Sequence, residues 1–167
     1  MKIFSIPLIV LFLDQISKLW IKANYAAYVP HNVIGHYLRI TFCENPGIAF
    51  GISVGSFHIY ITILSYIITV GLIYYLILEK NNHIVYVMSI AFILGGALGN
   101  IVDRTMMIIS PSSYGGVVDF IDVGLFAHSY RWYIFNVADT AITIGIILYF
   151  ILEYKYNQKL NDSSGNI

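Results

Sequence analysis

The segment Ile84–Ile109 reads IVYVMSIAFILGGALGNIVDRTMMII and decides the class of this fold. A helix needs about 20 residues to cross the hydrocarbon core of a bilayer. This segment exceeds that length, and its charged residues, Asp103 and Arg104, lie near its end. It therefore predicts a membrane-spanning helix that carries a charged site close to one interface.

Three further segments have a similar length and apolar character. The four expected transmembrane helices are residues 3–21, 57–78, 84–109 and 132–152, joined by expected extracytoplasmic regions at 22–56 and 110–131. An even number of crossings places both termini on one side and both long connections on the other. The sequence predicts an all-α membrane protein with a single integral membrane domain over residues 1–167.

The composition supports a membrane protein and argues against other classes. Of the 167 residues, 58% are hydrophobic and 11% are charged, whereas a soluble domain carries about 25% charged residues. Lys plus Arg and Asp plus Glu both number 9, so no basic excess favours nucleic acid. Membrane lipids and membrane-embedded substrates are the expected partners.

The basic residues predict the orientation by a narrow margin. Lys2, Lys80, Lys155 and Lys159 flank one face, whereas Lys22, Arg39 and Arg131 flank the other, which favours cytoplasmic termini. The N-terminal apolar run resembles a signal peptide, but it lacks an A-x-A pattern near its end and is followed by Asp14. We therefore expect a retained helix.

The first long connection contains a strand pattern. Leu38, Ile40 and Phe42 alternate with polar or small residues, which is typical of a half-buried strand. A small extracytoplasmic β-sheet is therefore expected between the first and second helices.

Three of the four predicted helices carry an acid, at Asp14, Asp103 and Asp139. A charged residue near the bilayer centre costs about 2.5 to 3.5 kcal/mol on insertion scales, so each one needs a partner or a purpose. With a helical rise of about 1.5 Å per residue, all three fall in the outer half of the membrane. Asp14 and Lys18, at i and i+4, form either a structural ion pair or a substrate-facing site. Asp103 beside Arg104 is better explained as a brace than as a catalyst.

Asp139 differs from the other acids because no cation lies within one turn of it. A carboxyl of this kind is suited to proton transfer. The preceding loop supplies two further acids, Asp119 and Asp122, and two carboxyls that share a proton can activate water. Asp119 with Asp139 is the proposed pair, although spacing alone separates Asp119 from Asp122 poorly. A polar network that only ties helices together is the alternative.

Other chemistries fit the sequence less well. The five histidines are scattered without metal-ligand spacing, and no histidine is placed to activate Cys43. Ser17 points away from Lys18 on a helix, which disfavours a Ser-Lys hydrolase. Proton or ion transport would use intramembrane acids too, but no inverted repeat is visible.

Five motifs together resemble the bacterial lipoprotein signal peptidases (signal peptidase II). They are Asp14-Gln15-Ile16-Ser17-Lys18, Asn45-Pro46-Gly47-Ile48-Ala49-Phe50, Gly95-Gly96-Ala97-Leu98-Gly99-Asn100-Ile101-Val102-Asp103-Arg104, Val117-Val118-Asp119-Phe120 and Phe135-Asn136-Val137-Ala138-Asp139. The resemblance implies an aspartyl endopeptidase of the bacterial inner membrane that cleaves diacylglyceryl-modified prolipoproteins just before the lipidated cysteine. It implies a monomer with cytoplasmic termini, an active site near the extracytoplasmic face, inhibition by globomycin, and neither cofactor nor metal.

The resemblance also implies roles for individual residues. Asp119 and Asp139 match the catalytic aspartates of the family. Positions that shape the site or contact substrate are matched by Asp14, Asn45, Gly47, Asn100, Asp103, Arg104 and Asn136. The strand Leu38 to Phe42 is expected to close over the substrate, so that changes at Arg39 or Phe42 weaken processing without unfolding the protein.

Overall fold

The computed structural model describes residues 2–47, 58–125 and 130–164. Four α-helices and four strands lie in these ranges, and a 3-10 turn, Lys2–Phe4, precedes the first helix. The helices are α1 (Ser5–Asn24), α2 (His58–Leu78), α3 (Ile84–Ile109) and α4 (Val137–Ser164), and the strands are β1 (Pro30–Ile34), β2 (Leu38–Asn45), β3 (Val117–Leu125) and β4 (Tyr130–Arg131). The expected helix start at Phe57 and the motif residues Ile48 to Phe50 lie outside the described residues.

Three helices among the described residues are long and apolar enough to cross a membrane: His58–Leu78, Ile84–Ile109 and Val137–Lys155. α1 has a comparable length of 20 residues. It differs because it carries three charged residues, Asp14, Lys18 and Lys22. The fold is therefore mostly helical, with three candidate spans and a small antiparallel sheet.

α3 is the central helix and packs against α1, α2 and α4. Glycine permits the close approach on two of its sides. A Cβ on Gly95 would lie 2.7 Å from the Val10 Cβ of α1, and a Cβ on Gly96 would lie 2.6 Å from the Ile142 Cγ1 of α4. These glycines allow backbones to approach where larger side chains would separate the helices.

The sheet has the order β1-β2-β3-β4, and its neighbouring strands are antiparallel. The prediction placed it between the first two helices. That placement is incomplete, because β3 and β4 come from the connection between α3 and α4. Val118 and Phe120 of β3 are buried with Ile21 and Phe42, so β3 covers apolar surface that β1 and β2 alone would leave exposed.

The predicted role of Phe42 at the substrate is wrong. Its side chain is 8% exposed and belongs to the core cluster between α1 and the sheet. A large buried side chain of this kind contributes about 1.5 to 3 kcal/mol through burial. Replacing Phe42 should therefore destabilise the fold, contrary to the sequence-based expectation.

The predicted start of the fourth helix at Trp132 is also wrong. The Trp132 backbone N–H donates to the Val123 carbonyl at 2.8 Å, and Phe135 exchanges backbone hydrogen bonds with Ile121. These residues therefore continue the sheet edge, since β3 satisfies their backbone groups. The helix begins at Val137 and extends past residue 152 to Ser164.

Candidate active site

The N-terminus of α4 is closed by two of the predicted site residues. The Asn136 Oδ1 accepts the Asp139 backbone N–H at 2.9 Å, and the Asp139 Oδ2 accepts the Asn136 backbone N–H at 3.2 Å. This reciprocal pair is a capping box. It fixes the Asp139 carboxyl at the first turn of the helix.

The second acid, Asp119, lies on β3 and is 4% exposed. Its Oδ1 accepts the Asn136 side-chain amide at 2.7 Å, and its Oδ2 accepts the Asn45 amide at 3.2 Å. Burial, with the charge of Asp139 adding to it, raises the pKa of Asp119 to about 7. A carboxyl with such a pKa exchanges protons readily near neutral pH.

Asn100 of α3 contacts Asp139 directly and Asp119 through Asn136. Its side-chain amide N–H donates to the Asp139 Oδ1 at 2.8 Å, and its Oδ1 accepts the Asn136 amide at 3.1 Å. Lys18 also donates to the Asn100 Oδ1, at 3.1 Å. Because a lysine ammonium can only donate, this contact fixes which end of the Asn100 amide faces Asp139.

Lys18 forms the centre of a buried charge cluster. Its Nζ lies 2.8 Å from the Asp14 Oδ2 and 2.8 Å from the Asp103 Oδ2, and its side chain is 2% exposed. The Asp14–Lys18 pairing left open by the sequence is thus a structural ion pair that includes a third member. A buried charge requires such compensation, because an isolated one is very costly.

The two carboxylates of this cluster, Asp14 and Asp103, also accept hydrogen bonds from backbone N–H groups. The Asp103 Oδ2 accepts the Val118 N–H at 3.1 Å, next to Asp119, and the Asp14 Oδ1 accepts the Ala138 N–H at 2.9 Å, next to Asp139. Asp14 and Asp103 are 0% and 1% exposed. They therefore support the site from behind and do not face the cavity.

The cavity above these acids has a volume of about 920 Å³. Asp119, Asp139, Asn45, Gly47, Asn100 and Arg104 all line it. Gly47 is held there because its backbone N–H donates to the Asn45 Oδ1 at 3.0 Å, which leaves the Asn45 amide N–H directed at Asp119. The cavity continues between α2 and α4, where Ser65, Thr69 and Thr143 line it.

The rival acid Asp122 is used elsewhere. Its Oδ2 accepts the Thr41 hydroxyl at 2.7 Å, and its Oδ1 lies 2.5 Å from the Arg131 Nε. It is 4% exposed. This carboxyl therefore braces β2 against β4 instead of joining the pair of acids.

Gln15 is a site residue that the sequence reasoning did not single out. Its Nε2 lies within hydrogen-bond distance of the Gly99 carbonyl (3.1 Å), the Asp14 Oδ2 (3.2 Å) and the Asp103 Oδ1 (3.3 Å). The sequence feature that could have identified Gln15 is an uncharged amide beside an acid in an apolar helix. Such an amide needs hydrogen-bond partners in lipid, as a charge does.

Cys43 also lines the cavity, and its Cα pairs with that of Asp119 across β2 and β3. Burial, followed by the charges of Asp119 and Asp122, raises the pKa of Cys43 to about 12. Since the thiolate is the nucleophilic form, this thiol is inert at neutral pH. Within the described parts of the chain, no three His, Cys, Asp or Glu residues are grouped so as to hold a metal ion.

Comparison with known proteins identifies the family of this chain. A family model described as signal peptidase (SPase) II matches residues 6–155. The chain belongs to the signal peptidase II family. Lipoprotein signal peptidases from Syntrophus aciditrophicus and Staphylococcus aureus are each 34% identical to it, the first over 90% of both chains and the second over 94% of this chain and 90% of the relative.

Solved structures show the same fold. One bacterial membrane enzyme, determined at 2.3 Å, has a TM-score of 0.80 and 32% identity over 95% of this chain and 90% of its own. Another, determined at 1.9 Å, has a TM-score of 0.74 and 33% identity over 90% and 91%. The predicted signal peptidase II family, the proteolytic activity and the multi-pass membrane location are thus confirmed.

Proposed function

We propose that this chain is an intramembrane aspartyl endopeptidase in which Asp119 and Asp139 form the catalytic dyad. The family assignment supports the removal of signal peptides from prolipoproteins. One observation carries the assignment of the dyad. Asn136 donates its side-chain amide to Asp119 at 2.7 Å and its backbone N–H to Asp139 at 3.2 Å, and both acids line one cavity.

The two acids lie in different environments. Asp139 accepts two N–H groups at the first turn of α4. Asp119 is more deeply buried, and its raised pKa of about 7 keeps it protonated in weakly acidic medium. Two carboxyls in such unequal environments can divide acid and base roles between them.

In the proposed reaction Asp139 is the base and Asp119 is the acid. Asp139 accepts a proton from a water molecule as the water oxygen attacks the scissile carbonyl carbon, while Asp119 donates its proton to the carbonyl oxygen. The tetrahedral intermediate collapses when the C–N bond breaks and the leaving nitrogen takes the proton held by Asp139. One hydroxyl of the intermediate returns its proton to Asp119 as the carboxylic acid forms, so both acids regain their starting states. The Arg104 side chain lines the same cavity, and its positive charge would stabilise the oxygen on which negative charge develops.

The remaining predicted residues divide into two groups by position. Asn45, Gly47 and Arg104 face the cavity and are proposed to contact substrate, with Asn100 and Asn136 orienting the acids. Asp14 and Asp103 are proposed to shape the site through Lys18 and the backbone of β3 and α4.

We further propose that α1 is a fourth spanning helix, so that residues 1–167 form a single membrane domain. The charges of Asp14 and Lys18 are satisfied inside the bundle, whereas Leu8, Phe12 and Leu19 are more than half exposed. An apolar outer face is what lipid requires. Four crossings would place both termini in the cytoplasm, with the sheet and the dyad at the extracytoplasmic face of the bacterial inner membrane.

The proposed substrate is a diacylglyceryl-modified prolipoprotein, cleaved just before the lipidated cysteine. Its acyl chains would remain among the membrane lipids while the peptide enters the cavity between α2 and α4, and globomycin would compete for that cavity. One chain supplies both acids and their supporting residues, which is consistent with a monomeric enzyme.

The test uses purified protein with lipidated and unlipidated prolipoprotein, with and without globomycin. Asp119→Asn and Asp139→Asn should each abolish cleavage and leave helix content intact. Asp122→Asn is the matched control and should still cleave, since Asp122 binds Thr41 and Arg131. Full cleavage by either dyad variant would refute the dyad.

A further inference from the structure

An ion pair outside the dyad joins three separate parts of the chain. The Lys22 Nζ, in the last turn of α1, lies 2.5 Å from the Glu44 Oε1 of β2 and donates to the Ser113 carbonyl at 2.8 Å. The same ammonium lies 3.8 Å from the centre of the Tyr114 ring. The Glu44 Oε2 accepts the Gly115 backbone N–H at 2.9 Å. We call this set, Lys22, Glu44 and residues 113–115, the Lys22 bracket.

The Lys22 bracket lies next to two residues of the proposed site, Asn45 on β2 and Asp119 on β3. Glu44 directly precedes Asn45, and the Cα of Asn45 pairs with that of Val117, two residues before Asp119. Gly116 follows the bracket and packs so closely that an added Cβ would lie 2.5 Å from the Pro46 nitrogen. The bracket therefore holds the end of β2 against the start of β3 where Asn45 reaches Asp119.

Stability does not explain this arrangement well. The Lys22 and Glu44 side chains are 22% and 25% exposed, and partly exposed ion pairs usually contribute little to folding. The arrangement is better explained by the need to position Asn45. The Asn45 contact to Asp119, at 3.2 Å, is the longer of the two amide contacts to that carboxyl. A small separation of β2 and β3 would therefore break the Asn45 contact before the Asn136 contact.

We infer that Lys22 and Glu44 are positioning residues that align Asn45 with the carboxyl of Asp119. This inference rests on the proposed catalytic role of Asp119. It predicts a defect in turnover when the bracket is broken, since a displacement of about 1 Å at a reacting group can cost about 100-fold in rate. We expect a loss of about tenfold, because Asn45 is one of several groups that orient Asp119.

The experiment compares Lys22→Met and Glu44→Met with Lys22→Arg, which retains a donor for both the Glu44 carboxylate and the Ser113 carbonyl. Each bracket-breaking variant should lower kcat about tenfold, with a smaller change in KM because Gly47 and Arg104 still line the cavity. Lys22→Arg should stay close to wild type. Asn24→Ala is the matched control in the same helical turn, because within the described ranges its amide donates to the Trp20 carbonyl and to no group of the bracket.

A second readout separates positioning from loss of folded protein. The Asn45 amide stabilises ionised Asp119 and so lowers its pKa; losing that contact raises the pKa and moves the alkaline limit of activity to higher pH. The charged and titratable groups that face Asp119 within the described residues are unchanged in these variants: Asp139 of α4, Lys18 of α1, Arg104 of α3 and Cys43 of β2.

Wild-type kcat and alkaline limit in both bracket-breaking variants would overturn the inference and leave the dyad untouched. A lower kcat that only follows the folded fraction, with no movement of the alkaline limit, would also overturn it. The dyad is tested separately by Asp119→Asn, so the two failures are distinguishable.

Discussion

Replacing Asn136 with alanine should damage both the fold and the chemistry, because one side chain serves both. Asn136 is 0% exposed. Its Oδ1 caps α4 at the Asp139 N–H, and its amide donates to the Asp119 Oδ1 at 2.7 Å. The alanine side chain provides neither the acceptor nor the donor, whereas the backbone N–H to the Asp139 Oδ2 is kept.

The size of the effect follows from these contacts. Loss of the side-chain cap costs about 1 kcal/mol. The Asp119 Oδ1 also loses its donor in a buried site, which adds about 1 to 3 kcal/mol. We therefore expect Asn136→Ala to lower the free energy of unfolding by about 2 to 4 kcal/mol, and to reduce kcat about 100-fold because both acids lose a positioning contact.

Unfolding in detergent and cleavage of a lipidated prolipoprotein, both measured well below the melting temperature, test this prediction. Thr140→Val is the control, since among the residues that the structure describes its hydroxyl donates to the Asn136 carbonyl and not to either acid. It should cost less than about 1 kcal/mol and leave kcat unchanged. The reasoning is refuted if Asn136→Ala matches Thr140→Val in both stability and turnover.

Two further predictions concern Asp119 and its neighbours. Burial raises the pKa of Asp119 from 3.8 to about 7, so cleavage should decline as pH rises through about 7. The folded state holds this proton more tightly than the unfolded chain, so the free energy of unfolding should also fall between about pH 4 and 7. A flat pH–rate profile from pH 6 to 9 would contradict this. Gly116→Ala should lower kcat/KM at least tenfold, because its Cβ would press on the Pro46 nitrogen and displace Asn45 from Asp119. Gly71→Ala, where an added Cβ meets nothing within 4 Å, should be neutral or slightly stabilising in the same assay.

The helices were the most predictable part of this structure. Long apolar segments such as Ile84–Ile109 carry their own signal, because lipid requires continuous apolar length. The start of α4 was misplaced for a physical reason. Residues from Trp132 to Phe135 are aromatic or aliphatic, as in a spanning helix, but their backbone pairs with β3. The Asn136 and Asp139 capping box was the local signal for the true start.

The sheet was predictable only in part. The alternation from Leu38 to Phe42 predicts a strand but cannot reveal its partner, which lies far along the chain at Val117–Leu125. The same limit led to the wrong role for Phe42. A period-two pattern identifies two faces of a strand, but it does not say which face packs against Ile21 of α1.

The site was predictable as a set of residue types but not as a set of contacts. The cost of charges in lipid singled out Asp14, Asp103 and Asp139. The sequence could not show that Lys18 contacts Asp14 and Asp103 together. Nor could spacing exclude Asp122, whose separate use depends on Arg131 and Thr41 from other strands.

The shared ion cluster of Lys18 has a consequence for biogenesis. During synthesis, α1 emerges from the ribosome long before α3, so Lys18 can first pair only with Asp14 in its own helix. Asp103 completes the cluster once α3 has been translated. The first helix of the nascent chain is therefore expected to remain near the translocon until α3 joins it, which couples its membrane integration to the assembly of the bundle.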